Sequence, residues 1–171
     1  KPVELFPKGW EISPEGVALT PGEMAYVQSF TEAAITQGVW DRPRGRQVEW
    51  GFIIDVTEQT ELMGYVDLLL PEEVRDHKTT SKRRYAKSAA AIAKSDQMLI
   101  YGYALLAQRQ LQGSAPISRV TLRHNTFCLD TKQVLKTSTD VPEYTFEPSA
   151  AAVFESILPQ YVNNTVFQML L

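Results

Sequence analysis

At 171 residues, with 44% apolar and 22% charged side chains, the chain fits one domain able to bury roughly 70% of its unfolded surface. A formal charge of −3 argues against non-specific coating of nucleic acid but leaves room for a local basic groove, because net charge hides distribution. The single cysteine, Cys128, excludes an internal disulfide, an all-cysteine zinc site and an iron–sulfur cluster held by this chain, and suits a reducing, cytoplasmic compartment.

The chain opens on Lys1 rather than Met, as expected of a fragment lacking upstream elements. No signal-peptide pattern follows, and no apolar run reaches the roughly 18–20 residues of a membrane span. Lys1–Pro21 holds four of the ten prolines and reads as an irregular arm pinned by Phe6 and Trp10. Thr20-Pro21-Gly22-Glu23 is a helix start, with Thr20 as N-cap, Pro21 at N1 and Glu23 at N3 completing a capping box. The helix is expected to run to about Gln37, with Met24, Val27, Phe30 and Ala34 on one stripe and Gly38 ending it. Asp41–Gln47 is a loop with three arginines.

Val48–Val56 alternates as a strand, with Val48, Trp50, Phe52, Ile54 and Val56 on one face and Glu49, Gly51, Ile53 and Asp55 on the other. Thr57–Thr60 is a polar turn. Two further apolar runs, Met63–Leu70 and Val74–Lys78, are separated by the turn-like Pro71-Glu72-Glu73. The three runs read as an antiparallel meander. Asp67 and Asp76 lie inside the second and third runs, where a charge is costly unless paired, hydrogen-bonded or bound to a metal. Asp76 and Lys78, at i and i+2, share a strand face. With the first turn centred on Glu58-Gln59, Glu49 falls opposite the neighbourhood of Asp67; a one-residue slip moves it to the other face.

From Arg75 to Lys94 the chain carries Arg75, Lys78, Lys82, Arg83, Arg84, Lys87 and Lys94 against the single acid Asp76, a net +6 in a protein of net −3. With Tyr85 among Lys82, Arg83, Arg84 and Lys87, this run reads as a phosphate-backbone contact or as a solvated loop. Ser95/Asp96 cap a helix to about Gln112, closed by Gly113, with Gln97, Ile100, Tyr101, Ala104, Leu105 and Gln108 on one face. Gln97 and Tyr101, at i and i+4, reach the same side. A fourth strand, Ile117–Arg123, returns parallel to the third through that helix. Thr126–Thr137 holds another strand or hairpin, Val141–Pro148 a polar connection, and Pro148–Leu158 a last helix with Ser149 near its cap. Tyr161–Leu171 ends in apolar residues. His77 and His124 read as packed or exposed side chains rather than ring ligands. Asp130-Thr131-Lys132 repeats the Asp-x-Lys triplet in a polar turn without a partner acid, and carries no function.

Gly64-Tyr65-Val66-Asp67, then Asp76-x-Lys78 at the next strand, then Gln97-x-x-x-Tyr101 opening a helix form a set that resembles the PD-(D/E)XK nuclease superfamily. Within it the set is similar to RecB-type and phage exonuclease domains and the CRISPR adaptation nucleases, over about residues 48–112. The resemblance implies an α/β fold, a restriction-endonuclease-like central mixed sheet flanked by helices. Phosphodiester hydrolysis needs an activated water and neutralisation of charge on the phosphate, and two hard carboxylates holding Mg²⁺ or Mn²⁺ supply both; a nearby lysine stabilises the transition state. At matching positions the resemblance makes Asp67 and Asp76 metal ligands, the His77 backbone carbonyl a third ligand, and Lys78 the catalytic lysine. Gln97 and Tyr101 would line the DNA side of the site. It also implies a Glu or His on a helix before the meander, expected upstream of Lys1 or replaced by Glu49, Glu23 or Glu32. No iron–sulfur cluster is expected.

The function expected from the sequence is a metal-dependent DNA nuclease, an exonuclease of recombination, repair or phage DNA processing. Its expected partners are DNA and a helicase, recombinase or other domain of the same system, with no membrane. The alternative is a nuclease-fold module that binds DNA or a protein without cutting, with Asp76 and Lys78 a structural ion pair. A small-molecule enzyme lacks support, since no Gly-rich phosphate loop or nucleophile–histidine pair is present.

Overall fold

The alternation of apolar and polar residues after Gln47 builds a five-stranded sheet in the order β1-β2-β3-β4-β5. The computed structural model describes residues 18–39, 45–57 and 59–156. The arm with Phe6 and Trp10, residues 41–44 of the arginine loop, the end of the last helix and the apolar tail lie outside the described residues. β1 (Gln47–Thr57), β2 (Thr60–Leu69) and β3 (Glu73–Thr80) form the antiparallel meander. β4 (Arg119–Cys128) lies parallel to β3, and β5 (Gln133–Pro142) runs antiparallel to β4. The mixed sheet expected from the sequence is thus present.

Helices cover both faces. α1 (Pro21–Thr36) starts on the expected capping box: Thr20 N–H donates to Glu23 Oε2 at 2.8 Å and Glu23 N–H to Thr20 Oγ1 at 3.3 Å. The Thr20 main-chain bond, then its hydroxyl, holds the Glu23 carboxyl below its ordinary value. α1 packs through Phe30 and Ala34 on Phe127 and Val134 of β4 and β5. Val27, expected on the buried stripe, stays 38% exposed at its margin.

A four-residue turn of helix, α2 (Ala89–Ile92), precedes α3 (Asp96–Leu111) on the opposite face. There Val66, Leu69, Val74, Val120 and Leu122 join Met98, Leu99, Ile100, Ala104 and Leu105 in the main core. The buried surface of α3 is wider than one stripe because a last helix, α4 (residues 146–156), covers its other side. Gly102 makes that contact possible: a Cβ there would stand 2.1 Å from Cε1 of the fully buried Phe146. α4 starts two residues before the expected Pro148, and the expected connection from Val141 is instead the end of β5 and a 3₁₀ turn, Glu143–Thr145.

Two departures from the expected pattern shape the site. Trp50 pairs with Val66 toward the main core, but Val48 pairs with Leu68, and Leu68 with Arg75 on the other face. The pleat therefore breaks at the rung between them, Glu49 opposite Asp67, where Glu49 has φ 49°; a left-handed residue in a strand reverses which way its neighbours point. Val48, expected on the core face, is 64% exposed as a result. The second departure is β4, which continues past Arg123 to Cys128. His124, Asn125 and Thr126 are buried at 1%, 0% and 2% exposure, so polar residues occupy strand positions where alternation looks for apolar ones. None of the described helices is long and apolar enough to cross a membrane.

Candidate active site

β2 and β3 pair only at Leu68↔Arg75 and Leu69↔Val74. The next rung would bring Asp67 opposite Asp76, and there the strands part. A fork in an antiparallel pair leaves main-chain groups of the inner strand without ladder partners, and buried polar groups do not stay unsatisfied. The Asp67 carboxylate takes the vacant role: His77 N–H donates to Asp67 Oδ2 at 2.6 Å. One strand residue turns its N–H and C=O to the same side, so the His77 carbonyl faces this fork as well. Its imidazole lies on the opposite face, beside Phe127 (6.2 Å between centroids) and 3.3 Å from Asn125 Nδ2.

Asp76 stands at the centre of the arrangement, 2% exposed. Its Oδ1 accepts from Gln97 Nε2 at 3.4 Å. Its Oδ2 lies 2.9 Å from Lys78 Nζ, at ion-pair distance without the geometry of a hydrogen bond. Gln97 Nε2 also donates to the Tyr101 hydroxyl at 2.9 Å, and the Tyr101 ring sits edge-on to Phe52 at 5.8 Å. Burial raises the Tyr101 hydroxyl pKa above its ordinary value. Gln97 lowers it in part, and the charges of Asp76, Lys78 and Asp67 act on it as well. The hydroxyl thus keeps its proton as a donor and senses all three charged groups. The structure brings Asp67, Asp76, Lys78, Gln97, Tyr101 and the His77 main chain to one place.

Glu49 is not brought there. It occupies the rung opposite Asp67, but it is exposed, and among the described residues no three His, Cys, Asp or Glu side chains converge as a metal-holding group. The reason is the left-handed backbone that also turns Val48 out. Glu23 is engaged in its cap and Glu32 is exposed on α1, which packs on β4 and β5 rather than β1. The donor set offered to an ion is therefore Asp67, Asp76 and the His77 carbonyl. These are hard oxygens that leave positions for water, the chemistry of a Mg²⁺ or Mn²⁺ site. The buried Asp76 Oδ2, without a hydrogen-bond partner, fits a cation.

The basic run is anchored rather than loose. After β3 a 3₁₀ turn, Arg83–Tyr85, is fixed by Asp130: the Arg83 N–H donates to Asp130 Oδ1 and Oδ2 at 3.0 and 3.1 Å. The triplet given no chemistry in the sequence thus supplies the acid that ties this turn to the β4–β5 connection. Lys82, Arg83 and Arg84 are exposed, with the Arg84 guanidinium 5.0 Å from the centre of the Tyr85 ring. Lys87 is exposed as well, and its Nζ donates to Ser95 Oγ at 3.1 Å; Ser95, the N-cap of α3, makes no side-chain cap bond to the helix.

His124 is packed, one of the two placements expected for it; what sequence reasoning did not foresee is its contact with Asp76. His124 pairs with Asp76 across the parallel β3–β4 ladder, so both side chains point toward α3, and His124 Nε2 lies 3.6 Å from Asp76 Oδ2. Burial lowers the His124 pKa; Asp76 raises it in part, and the positive charges of Lys87 and then Lys78 lower it further. The signal was present in the alternation of Val120, Leu122 and His124 on the strand returning parallel to β3.

A family model described as the PD-(D/E)XK nuclease superfamily matches residues 10–169. No curated protein gives a significant match. Among solved structures, "Crystal structure of SSO0001" is similar at 12% identity and a TM-score of 0.39. The match covers 77% of this chain and 58% of that one.

Proposed function

The chain belongs to the PD-(D/E)XK nuclease superfamily, and from that premise we propose that it is a metal-dependent DNA nuclease whose site is the fork between β2 and β3. The observation that carries this reading is the meeting of Asp67, Asp76 and Lys78 around one main-chain segment, with Asp76 buried and Lys78 2.9 Å from it. Asp67, Asp76 and the His77 carbonyl would hold Mg²⁺ or Mn²⁺, which supplies Lewis-acid charge for a phosphoryl oxygen and acidifies a water. Lys78, 41% exposed, reaches from Asp76 toward the cleft, where its ammonium orients the attacking water and offsets charge on the scissile phosphate. Tyr101, accepting from Gln97, keeps its own O–H to donate to a phosphate oxygen. Lys82, Arg83, Arg84 and Lys87 hold the backbone of the DNA. We further propose an exonuclease of recombination, repair or phage DNA processing, working beside a helicase, recombinase or another domain of the same system.

One observation favours the rival reading, a nuclease-fold module that binds DNA or a protein partner without cutting: no third acid joins Asp67 and Asp76 among the described residues. Incubation with linear and circular DNA, single- and double-stranded, in Mg²⁺, Mn²⁺ or EDTA separates the two. A nuclease digests linear DNA only with metal, and Asp76→Ala and Lys78→Ala abolish digestion; survival of circular DNA marks an exonuclease. DNA retained but uncut in every metal supports the binding module.

A further inference from the structure

Among the described residues, the buried side-chain atoms Asp76 Oδ2 and His124 Nε2 both lack a hydrogen-bond partner, and these two face each other at 3.6 Å. Asp76 Oδ2 has the Lys78 ammonium at 2.9 Å as an ion-pair contact but no hydrogen bond. A buried polar atom without a hydrogen bond is costly, so these two atoms side by side, each on a side chain 2% exposed, are placed to satisfy each other. We propose that His124 is a positioning residue for the metal site: its Nε2–H donates to Asp76 Oδ2 and fixes the rotamer of that carboxylate. The inference rests on reading Asp67 and Asp76 as metal ligands.

The chemistry is one-directional. A carboxylate only accepts, and a neutral imidazole carries one N–H, on either ring nitrogen. The tautomer with hydrogen on Nε2 turns the two facing atoms into a donor–acceptor pair; the other sets two acceptors against each other. The remaining contacts of Asp76 do not fix it tightly. Gln97 reaches Oδ1 at only 3.4 Å and is shared with Tyr101, while Lys78, 2.9 Å from Oδ2, is 41% exposed and sits on the open side of the carboxylate. His124, by contrast, is held on β4 between β3 and β5, pairing with Asp76 on one side and Thr137 on the other. It is the rigid neighbour of the carboxylate. Partners of this kind, acting behind the atoms that bind metal, typically set affinity by about 10–100-fold.

Two measurements on the full chain test this. Long-range ¹H–¹⁵N spectra of the metal-free protein report the tautomer: a proton on Nε2 of His124 is expected, and a proton on Nδ1 overturns the proposal. Mn²⁺ titration by calorimetry then compares wild type, His124→Ala and His124→Gln, the last carrying an amide N–H near the position of Nε2. We expect Mn²⁺ affinity to fall about 10–100-fold in His124→Ala and to recover in His124→Gln. Unchanged affinity in folded His124→Ala overturns the proposal. Equal weakening in both folded variants also overturns it, in favour of the imidazole binding metal directly. If wild type takes up no Mn²⁺, the metal-site reading itself falls, a failure visible before any variant is compared.

Discussion

Replacing Asp67 by Ala and by Asn separates what its carboxylate does for the fold from what it does for chemistry. The half-buried carboxylate accepts the His77 N–H at 2.6 Å where β2 and β3 part. A hydrogen bond to a charged group contributes about 1.5–3 kcal/mol net, against about 0.5–1.5 for a neutral one. Asp67→Ala leaves the N–H without its acceptor and should cost about 2 kcal/mol. Asp67→Asn keeps a carbonyl oxygen within reach and should cost about 1 kcal/mol. At about 2–4 °C per kcal/mol for a chain of this size, melting in EDTA should fall by roughly 4–8 °C in Ala and half that in Asn. Metal-dependent DNA cleavage should instead fall equally in both, by about 10²–10³ or more, the scale of losing one group that stabilises transition-state charge. Calorimetry in EDTA and digestion of end-labelled linear DNA read the two effects. Asp67→Asn with wild-type cleavage refutes Asp67 as a metal ligand, and Asp67→Ala melting like wild type refutes the fork bond.

Lys82→Ala/Arg84→Ala should weaken DNA binding and lower the slope of log affinity against log salt by about 1.8 on duplex; an unchanged slope in fluorescence anisotropy removes these residues from the interface. Gly102→Ala should destabilise by about 1–3 kcal/mol in urea unfolding, because the buried Phe146 ring stands where the methyl would go. Gly22→Ala, with nothing within 4 Å, is the control and should not destabilise. Cys128 is buried, and burial first, then Asp130, raises its thiol pKa despite the opposing charge of Arg83. At pH 8 its thiolate fraction is therefore below that of a free cysteine, and Ellman's reagent should label it only as the protein unfolds. Prompt labelling of native protein would contradict its place in β4.

Patterns that are local in the chain were legible without the structure. The Thr20/Glu23 capping box, the alternation of Trp50, Phe52 and Ile54, the Pro71 turn and the Asp76/Lys78 spacing depend on residues within a turn or two of each other, and each produced its element. The Gly64–Asp67, Asp76–Lys78 and Gln97–Tyr101 set was enough to indicate the superfamily. What sequence could not supply came from contacts between distant segments. Only the pairing of β1 with β2 reveals that Glu49 adopts a left-handed backbone and turns Val48 outward. The early parting of β2 and β3 lets Asp67 reach a main-chain N–H, and that depends on β4 holding the other edge of β3. The same parallel ladder carries His124 to Asp76, because register across a crossover is set by how α3 packs and not by any short-range pattern. The sequence therefore determined which residues could do chemistry; tertiary structure decided which of them meet, since a strand's partner fixes where its side chains point.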